Sequence, residues 1–270
     1  MTSELLLEDL PTGKPHVSYS EVKNWRECSW RHRLIYVKKV DVFKPSPFLD
    51  FGTAVHAACE SFLETRQMDT NITMDVLDEA WRKNSGAPGF DAASLLKAKE
   101  DAAVILAEVQ PFMDEQFPGW KYVAAEEELY EGIEGHPQAF KGFIDGVIMA
   151  KGKRGEDIVW LLDWKSSQRG WLRAKRQDEM TKNQLVLYKS YWAKKHGVGL
   201  KDIRCAFVIL KRAAKPGQHC ELFPISVGDV VIKRSLKMVN DMVTSVKRGV
   251  ALKNRNSCTY CEYKGTEHCT

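Results

Sequence analysis

No stretch of this chain approaches the roughly 20 uninterrupted apolar residues that a membrane span needs, so no membrane partner is expected. The opening MTSELLLEDLPTGK lacks a basic start followed by a long apolar run. That argues against a secretion signal and makes the cytoplasm the expected compartment. Internal repeats, low-complexity tracts and helicase motifs are missing as well. Net charge is small, +4 over 270 residues, and by itself says little about partners. Its distribution says more: residues 1–150 carry 15 Lys and Arg against 25 Asp and Glu, and residues 151–270 carry 25 against 11. The halves therefore stand at −10 and +14, which suggests either a polyanion-facing surface in the second half or a set of solvated helix faces. Cysteine is sparse until the end, where three of the seven fall in the last thirteen residues. In a reducing compartment such clustering favours metal over disulfide.

What is present is long enough to bury a substantial core. Residues 1–16 read as a loose lead-in broken by Pro11, Gly13 and Pro15. A helix follows, with Ser18 and Glu21 as a capping box, Val22, Trp25, Leu34 and Val37 as an apolar face, and Cys28 in its middle. After a Pro-containing loop, residues 52–67 predict a second helix whose Gly52, Thr53, Ala54, Ala57 and Ala58 permit close approach of a neighbour. His56 and Glu60 share one of its faces. A lone helix histidine is usually a packing residue, so ligation by His56 needs partners from elsewhere. Residues 74–84 and 92–116 predict an all-helical cover.

The stretch 141–167 reads as two short strands, 140–149 and 158–165, joined by a Gly/Lys/Arg turn. The first carries Asp145 and the second ends in Asp163-Trp164-Lys165. Alternation puts Asp163 and Lys165 on one face and Trp164 on the other. Isolated buried charges are costly, so converging carboxylates hold a divalent cation or share a proton. A hard cation such as Mg2+ prefers oxygen ligands, and a lysine beside it can orient a water or balance charge growing on a phosphate. That is the chemistry of phosphodiester hydrolysis.

Upstream, residues 120–130 predict a strand in which Glu126 or Glu128 could face the same edge as Asp145. Downstream, Gln168, Arg169, Trp171, Arg173 and Lys175 suit a loop that grips phosphates and stacks a base; the plainer reading tucks Trp171 into the core. A helix over 181–195 carries Gln184 and Tyr188 one turn apart. Strands over 203–210 and 219–225, a basic helix over 227–248 and the tail SCTYCEYKGTEHCT complete the chain.

Taken in order, Gly52-Thr53-Ala54-Val55-His56, Gly142-Phe143-Ile144-Asp145, Asp163-Trp164-Lys165 and Gln184-Leu185-Val186-Leu187-Tyr188 resemble the motifs of the RecB-like branch of the PD-(D/E)XK nuclease superfamily. The resemblance covers nearly the whole chain except the helices between about 73 and 116. It implies an α/β fold, a restriction-endonuclease-like central mixed sheet flanked by helices, with a helical insert and a cysteine-stapled C-terminal end. A single nuclease domain over 1–270 is expected, with N-terminal helices at 17–67, the insert at 73–117, the catalytic core at 120–226 and the cysteine end at 227–270.

The resemblance also implies that His56, Asp145, Asp163 and the Trp164 backbone carbonyl ligate Mg2+ or Mn2+, with Lys165 positioning the attacking water. Glu60 and one of Glu126 or Glu128 would tune the site from behind, while Gln184 and Tyr188 hold its rim or the nucleic acid. Several members of the branch, including CRISPR adaptation and AddB-type nucleases, carry an iron-sulfur cluster on one early and three late cysteines. Here those positions look like Cys28, Cys258, Cys261 and Cys269. Thiolates bind a [4Fe-4S] cluster and Zn2+ alike, so cluster, zinc and no metal all stay open, and the long interval from Cys261 to Cys269 lets His268 compete as fourth ligand. Cys59, Cys205 and Cys220 read as structural.

The implied activity is a DNA exonuclease working on single-stranded or frayed ends in recombination, repair or phage DNA metabolism, beside recombination or replication proteins. If phage-encoded, it would work in the bacterial host cytoplasm. The alternatives are a structure-specific endonuclease acting with a partner, a non-catalytic DNA-binding subunit of the same fold, and a zinc-stapled scaffold with no nucleic-acid role.

Overall fold

The structure, a computed structural model, describes residues 7–42, 44–259 and 261–270. Residues 1–6 of the expected lead-in, Phe43 of the loop before the second helix and Tyr260 of the cysteine tail lie outside the described residues. A six-stranded mixed sheet forms the centre, in the order β1-β3-β4-β5-β6 with β2 paired to β3. Its strands are β1 His16–Ser18, β2 Lys121–Gly132, β3 Ala139–Lys151, β4 Asp157–Ser167, β5 Ile203–Lys211 and β6 Cys220–Ile225. β3 is antiparallel to β2 and β4, whereas β1 runs parallel to β3 and β5 parallel to β4.

Helices cover both faces. On one lie α3 (Pro47–Thr65), α4 (Thr70–Lys83) and α5 (Ala92–Gln116), which bury Phe51, Phe62, Leu77, Ile105 and Met113 against Trp164, Ile148 and Val208. On the other lie α1 (Tyr19–Glu27), α7 (Glu179–His196) and α8 (Asp229–Lys247), packed on Phe140, Ile144, Leu161 and Phe207. Fully burying one such side chain contributes about 1.5–3 kcal/mol, so these two layers dominate the fold's stability. The short helices α2 (Ser29–His32) and α6 (Arg173–Gln177) complete the set. Among the described residues no helix is long and apolar enough to cross a membrane.

The first expected helix is not continuous. α1 ends at Glu27, Cys28 is extended (φ −161°, ψ 108°), and the chain restarts as α2 and then a π-helical turn over Arg33–Val37. Ser18 does cap α1 by accepting from the Glu21 N–H (3.2 Å), but the Glu21 side chain does not cap back. It is buried against His32 (2.9 Å), because two polar groups removed from water satisfy each other. This pair straddles Cys28 and holds α1 and α2 together across the break. Residues 16–18, expected as lead-in and helix start, add a strand instead. α6 falls where a loop is expected; the other elements lie within a few residues of expectation, the largest difference being α3, which begins at Pro47 because proline suits a first turn.

Candidate active site and cysteine-lined cavity

β3 and β4 stop pairing at Gly146 and Leu162, and the next residue on each strand is an aspartate. Beyond that point β3 continues with β2, to Ala139 against Gly132, while β4 continues with β5, to Ser167 against Lys211. The two strands therefore fork, and Asp145 and Asp163 sit in the crotch. The ladder bond lost there is replaced by a side chain: Trp164 N–H donates to Asp145 Oδ2 (2.8 Å). Lys165 brings its Nζ 2.6 Å from Asp163 Oδ2, and His56 Nδ1 lies 3.5 Å from Asp145 Oδ2. The Trp164 backbone stands beside the His56 ring and favours its charged form.

Glycines let the elements come this close. A Cβ on Gly146 would lie 2.5 Å from Leu63 Cδ1, and one on Gly142 would lie 2.6 Å from Tyr188 Cε1. So α3 packs into the fork from one side and α7 reaches over it from the other.

Burial sets the electrostatics. It pushes both Asp145 and Asp163 up to about 6, despite the Lys165 ammonium that pulls each back down. For Lys165, burial works against the charged form, but the Asp163 and Asp145 carboxylates outweigh it and raise the ammonium. His56 is pushed down to about 4 by burial and by Lys165, so near neutral pH it is an uncharged imidazole. Asp163 is 0% exposed, and neither of its oxygens accepts a hydrogen bond of good geometry. Two carboxylates, that of Asp163 with unsatisfied oxygens, a neutral imidazole and a neighbouring carbonyl are the donor types that a hard divalent cation takes. As placed, no three His, Cys, Asp or Glu side chains among the described residues stand together at ligating distance. The Lys165 ammonium lies on Asp163, on the carboxylate a cation would share.

The acidic run of β2 sorts by alternation. Glu127 points to α7, held by Trp192 Nε1 (2.7 Å), Lys195 Nζ (2.7 Å) and His196 Nε2 (2.6 Å). Glu126 and Glu128 face the other way. Glu126 has φ +45° and is raised by burial and by Asp163; Glu60 is raised by burial and by Glu126. Both therefore border the fork, whereas Glu128 is paired with Lys141 (2.8 Å). Gln184 Nε2 donates to the Tyr188 hydroxyl (3.3 Å), and the Tyr188 ring lies against Gly142, so this pair braces β3 beside Asp145.

The loop after β4 turns out differently from the phosphate-gripping reading. Trp171 packs on Phe207 (4.9 Å between centroids) and Phe223 (5.8 Å), so its ring belongs to the core and is not a base-stacking surface. Arg169 and Arg173 are exposed. Lys175 falls on α6 and is lowered by burial, then by Lys23 and by Lys165. Lys175 thus adds positive charge near Lys165, and Lys23 on α1, 3.8 Å from Glu27, stands near Lys175. Sequence reasoning missed Lys23, which only proximity in space, not any local pattern, marks.

Apart from the fork, Cys28, Cys258, Cys261 and Cys269 line one cavity of about 390 Å3, with Trp30, Leu34 and Tyr263 in its wall. None forms a disulfide. The tail is stitched to the break after α1: Asn254 N–H approaches Cys28 Sγ (3.4 Å), Ser257 Oγ donates to Glu27 O (2.7 Å) and Leu252 N–H to Ser29 Oγ (2.8 Å). Four thiols are the donor type of a soft metal or cluster, but as placed no three of them stand together at ligating distance among the described residues. His268 is not in the cavity wall; its ring packs on Tyr263. Cys59 and Cys205 are core residues, and burial pushes the Cys205 and Cys220 thiols up to about 12, in keeping with a structural role.

Comparison with known proteins adds four findings. The sequence matches the profile of the PD-(D/E)XK nuclease superfamily over residues 16–266. A crystal structure from Eubacterium rectale, whose name gives it provisionally as an exonuclease, superposes with a TM-score of 0.54 at 15% identity, covering 92% of this chain and 88% of that one. The structure of SSO0001 is 12% identical and covers 90% of this chain and 93% of that one, but at a TM-score of 0.34 it carries no argument. No curated protein matches the chain.

Proposed function

Because the chain belongs to the PD-(D/E)XK nuclease superfamily, we propose that it is a divalent-metal-dependent deoxyribonuclease acting from single-stranded or frayed ends. The observation that supports this reading is the fork, where residues of three separate motifs meet in two adjoining pairs, His56 with Asp145 (3.5 Å) and Lys165 with Asp163 (2.6 Å), linked through the Trp164 N–H on Asp145. His56, Asp145, Asp163 and the Trp164 carbonyl would hold Mg2+ or Mn2+, which when bound supplies Lewis-acid charge at the phosphate and lowers the pKa of a nearby water. Asp145 is kept in place by the Trp164 N–H, and the lowered pKa of His56 leaves its nitrogen free of a competing proton. Lys165, held by Asp163, aims its ammonium where charge grows on the phosphoryl oxygens. Lys175 extends that positive field toward the substrate.

The name of the Eubacterium rectale neighbour is in line with an exonuclease, as is the resemblance of the motifs. We read residues 1–270 as one nuclease unit serving DNA repair, recombination or phage DNA metabolism. Its four clustered cysteines would hold a [4Fe-4S] cluster, or Zn2+ in the second reading, and a non-catalytic role is disfavoured by the intact carboxylates and lysine. The test is a time course on end-labelled single- and double-stranded DNA with Mg2+ or Mn2+, which reports activity, polarity and exo or endo mode together. Absence of cleavage under both metals overturns the assignment.

A further inference from the structure

One edge of β3 is shared by two strands, and between them it is bare. β1 pairs with it up to Lys141, β4 pairs from Gly146 onward, and residues 142–145 have no strand partner on that side. A cavity of about 310 Å3 opens at this gap and runs from Lys14 and His16 past Lys141 and Phe143 to Asp145. Phe143 is 43% exposed and Tyr130, across from Lys141 on β2, is 36% exposed. Lys141 Nζ lies 5.3 Å from the Phe143 ring centroid and 5.9 Å from that of Tyr130. His16 packs on Tyr130 (5.7 Å) and leaves its buried Nδ1 without a partner. Of the carboxylates here, Glu128 beside the cavity is bound to Lys141 (2.8 Å), while Glu21 and Asp145 in its wall are engaged by His32 and His56.

Aromatic rings left uncovered on a sheet, with lysines interleaved, are the composition of a base-stacking platform, because every base has a π-face and each phosphate needs a cation. Phe143 stands two residues from Asp145, about 7 Å along the strand. We propose that this gap seats an unpaired nucleotide adjoining the scissile phosphate, its base on the Phe143 ring and its phosphate between Lys14 and Lys141. A duplex cannot enter in this way, since its bases are already stacked and paired. The inference rests on the nuclease reading for its purpose but makes a separate claim about binding.

The test is therefore a binding measurement in EDTA, where no cleavage occurs, using fluorescein-labelled oligo-dT and a blunt duplex of equal length. Phe143→Ala is expected to weaken oligo-dT binding about tenfold or more, leave duplex binding unchanged and leave the melting temperature unchanged. Phe143→Trp restores oligo-dT binding, and the Lys14→Ala/Lys141→Ala pair weakens it with a shallower salt dependence. Unchanged oligo-dT affinity in Phe143→Ala, or an equal loss for duplex, overturns the platform even if the enzyme proves to be a nuclease. Absence of cleavage with the predicted binding intact overturns the nuclease reading alone.

Discussion

The fork and the cysteine cavity are both candidate metal centres, but they are built in opposite ways. The fork is clamped by backbone ladders on both sides, β2 with β3 and β4 with β5, and its carboxylates are forced together by register. The cavity is closed by loop hydrogen bonds between residues more than 220 positions apart, such as Ser257 to Glu27. Stability at the fork is therefore supplied by the fold and drawn down by the buried charges. At the cavity the order runs the other way, because a metal closing so long a loop would itself stabilise the chain ends.

The sharpest way to break this contrast is at the fork. Asp163→Ala and Lys165→Ala are each expected to lower cleavage by about a thousandfold, a loss of about 4 kcal/mol of transition-state stabilisation, with DNA binding largely kept. Asp163→Ala should keep the fold, because it also removes a buried charge, whereas Lys165→Ala leaves two carboxylates without their ammonium and should cost some stability; a collapse of the melting temperature in Asp163→Ala would show that the fork is structural. At the cavity the expectation reverses. Cys258→Ser should lower the melting temperature by about 5–15 °C and abolish any visible absorbance of the purified protein, through loss of a metal worth several kcal/mol. An unchanged melting curve would mean that hydrogen bonds alone close the tail.

Packing at the fork gives a smaller effect. Gly146→Ala should cost about 1–3 kcal/mol, since the new methyl meets Leu63 Cδ1 at 2.5 Å within a filled core. Denaturant unfolding measures this directly, and a neutral result would mean that α3 is free to shift.

The pH dependence is subtler. Asp163 titrates at about 6 in the folded protein, above its usual value near 4. The folded state thus holds a proton that the unfolded chain has lost, so its contribution to stability is full below about 4 and is lost as pH rises through about 6. Asp145 acts in the same direction, and His56, lowered to about 4, acts against them by gaining stability as pH rises over the same interval. Comparing metal-free wild type with Asp163→Asn isolates the Asp163 share: the variant's relative melting temperature should climb between pH 4 and pH 7. Added Mg2+ should raise the wild-type melting temperature at pH 7 and not at pH 4. A flat difference across that range would contradict the burial argument.

Much of this was legible in residues alone. Periodicity and turn residues gave nearly every helix and strand, and the alternation of Asp163, Trp164 and Lys165 gave their faces. Cys28 was harder, because nothing local distinguishes a helix from a helix broken at one extended residue; the break follows from the buried Glu21–His32 pair and the returning tail. Trp171 misled, since a basic loop with an aromatic reads the same whether the ring faces solvent or the core, and only the positions of Phe207 and Phe223 decide. Glu126 could not be separated from Glu128 until strand pairing placed Glu60 beside one and Lys141 beside the other.

Local order along the chain by itself determined which element carries Asp145, Asp163, Lys165 and His56, because backbone preference and side-chain period act over a few residues. Tertiary structure alone decided that β3 and β4 diverge just before their aspartates, that Lys23 meets Lys175, and that β1 stops short of β4 on the β3 edge. Those outcomes depend on strand register and on which helix covers which face. Both are settled by packing between segments far apart in sequence, where no local pattern reaches.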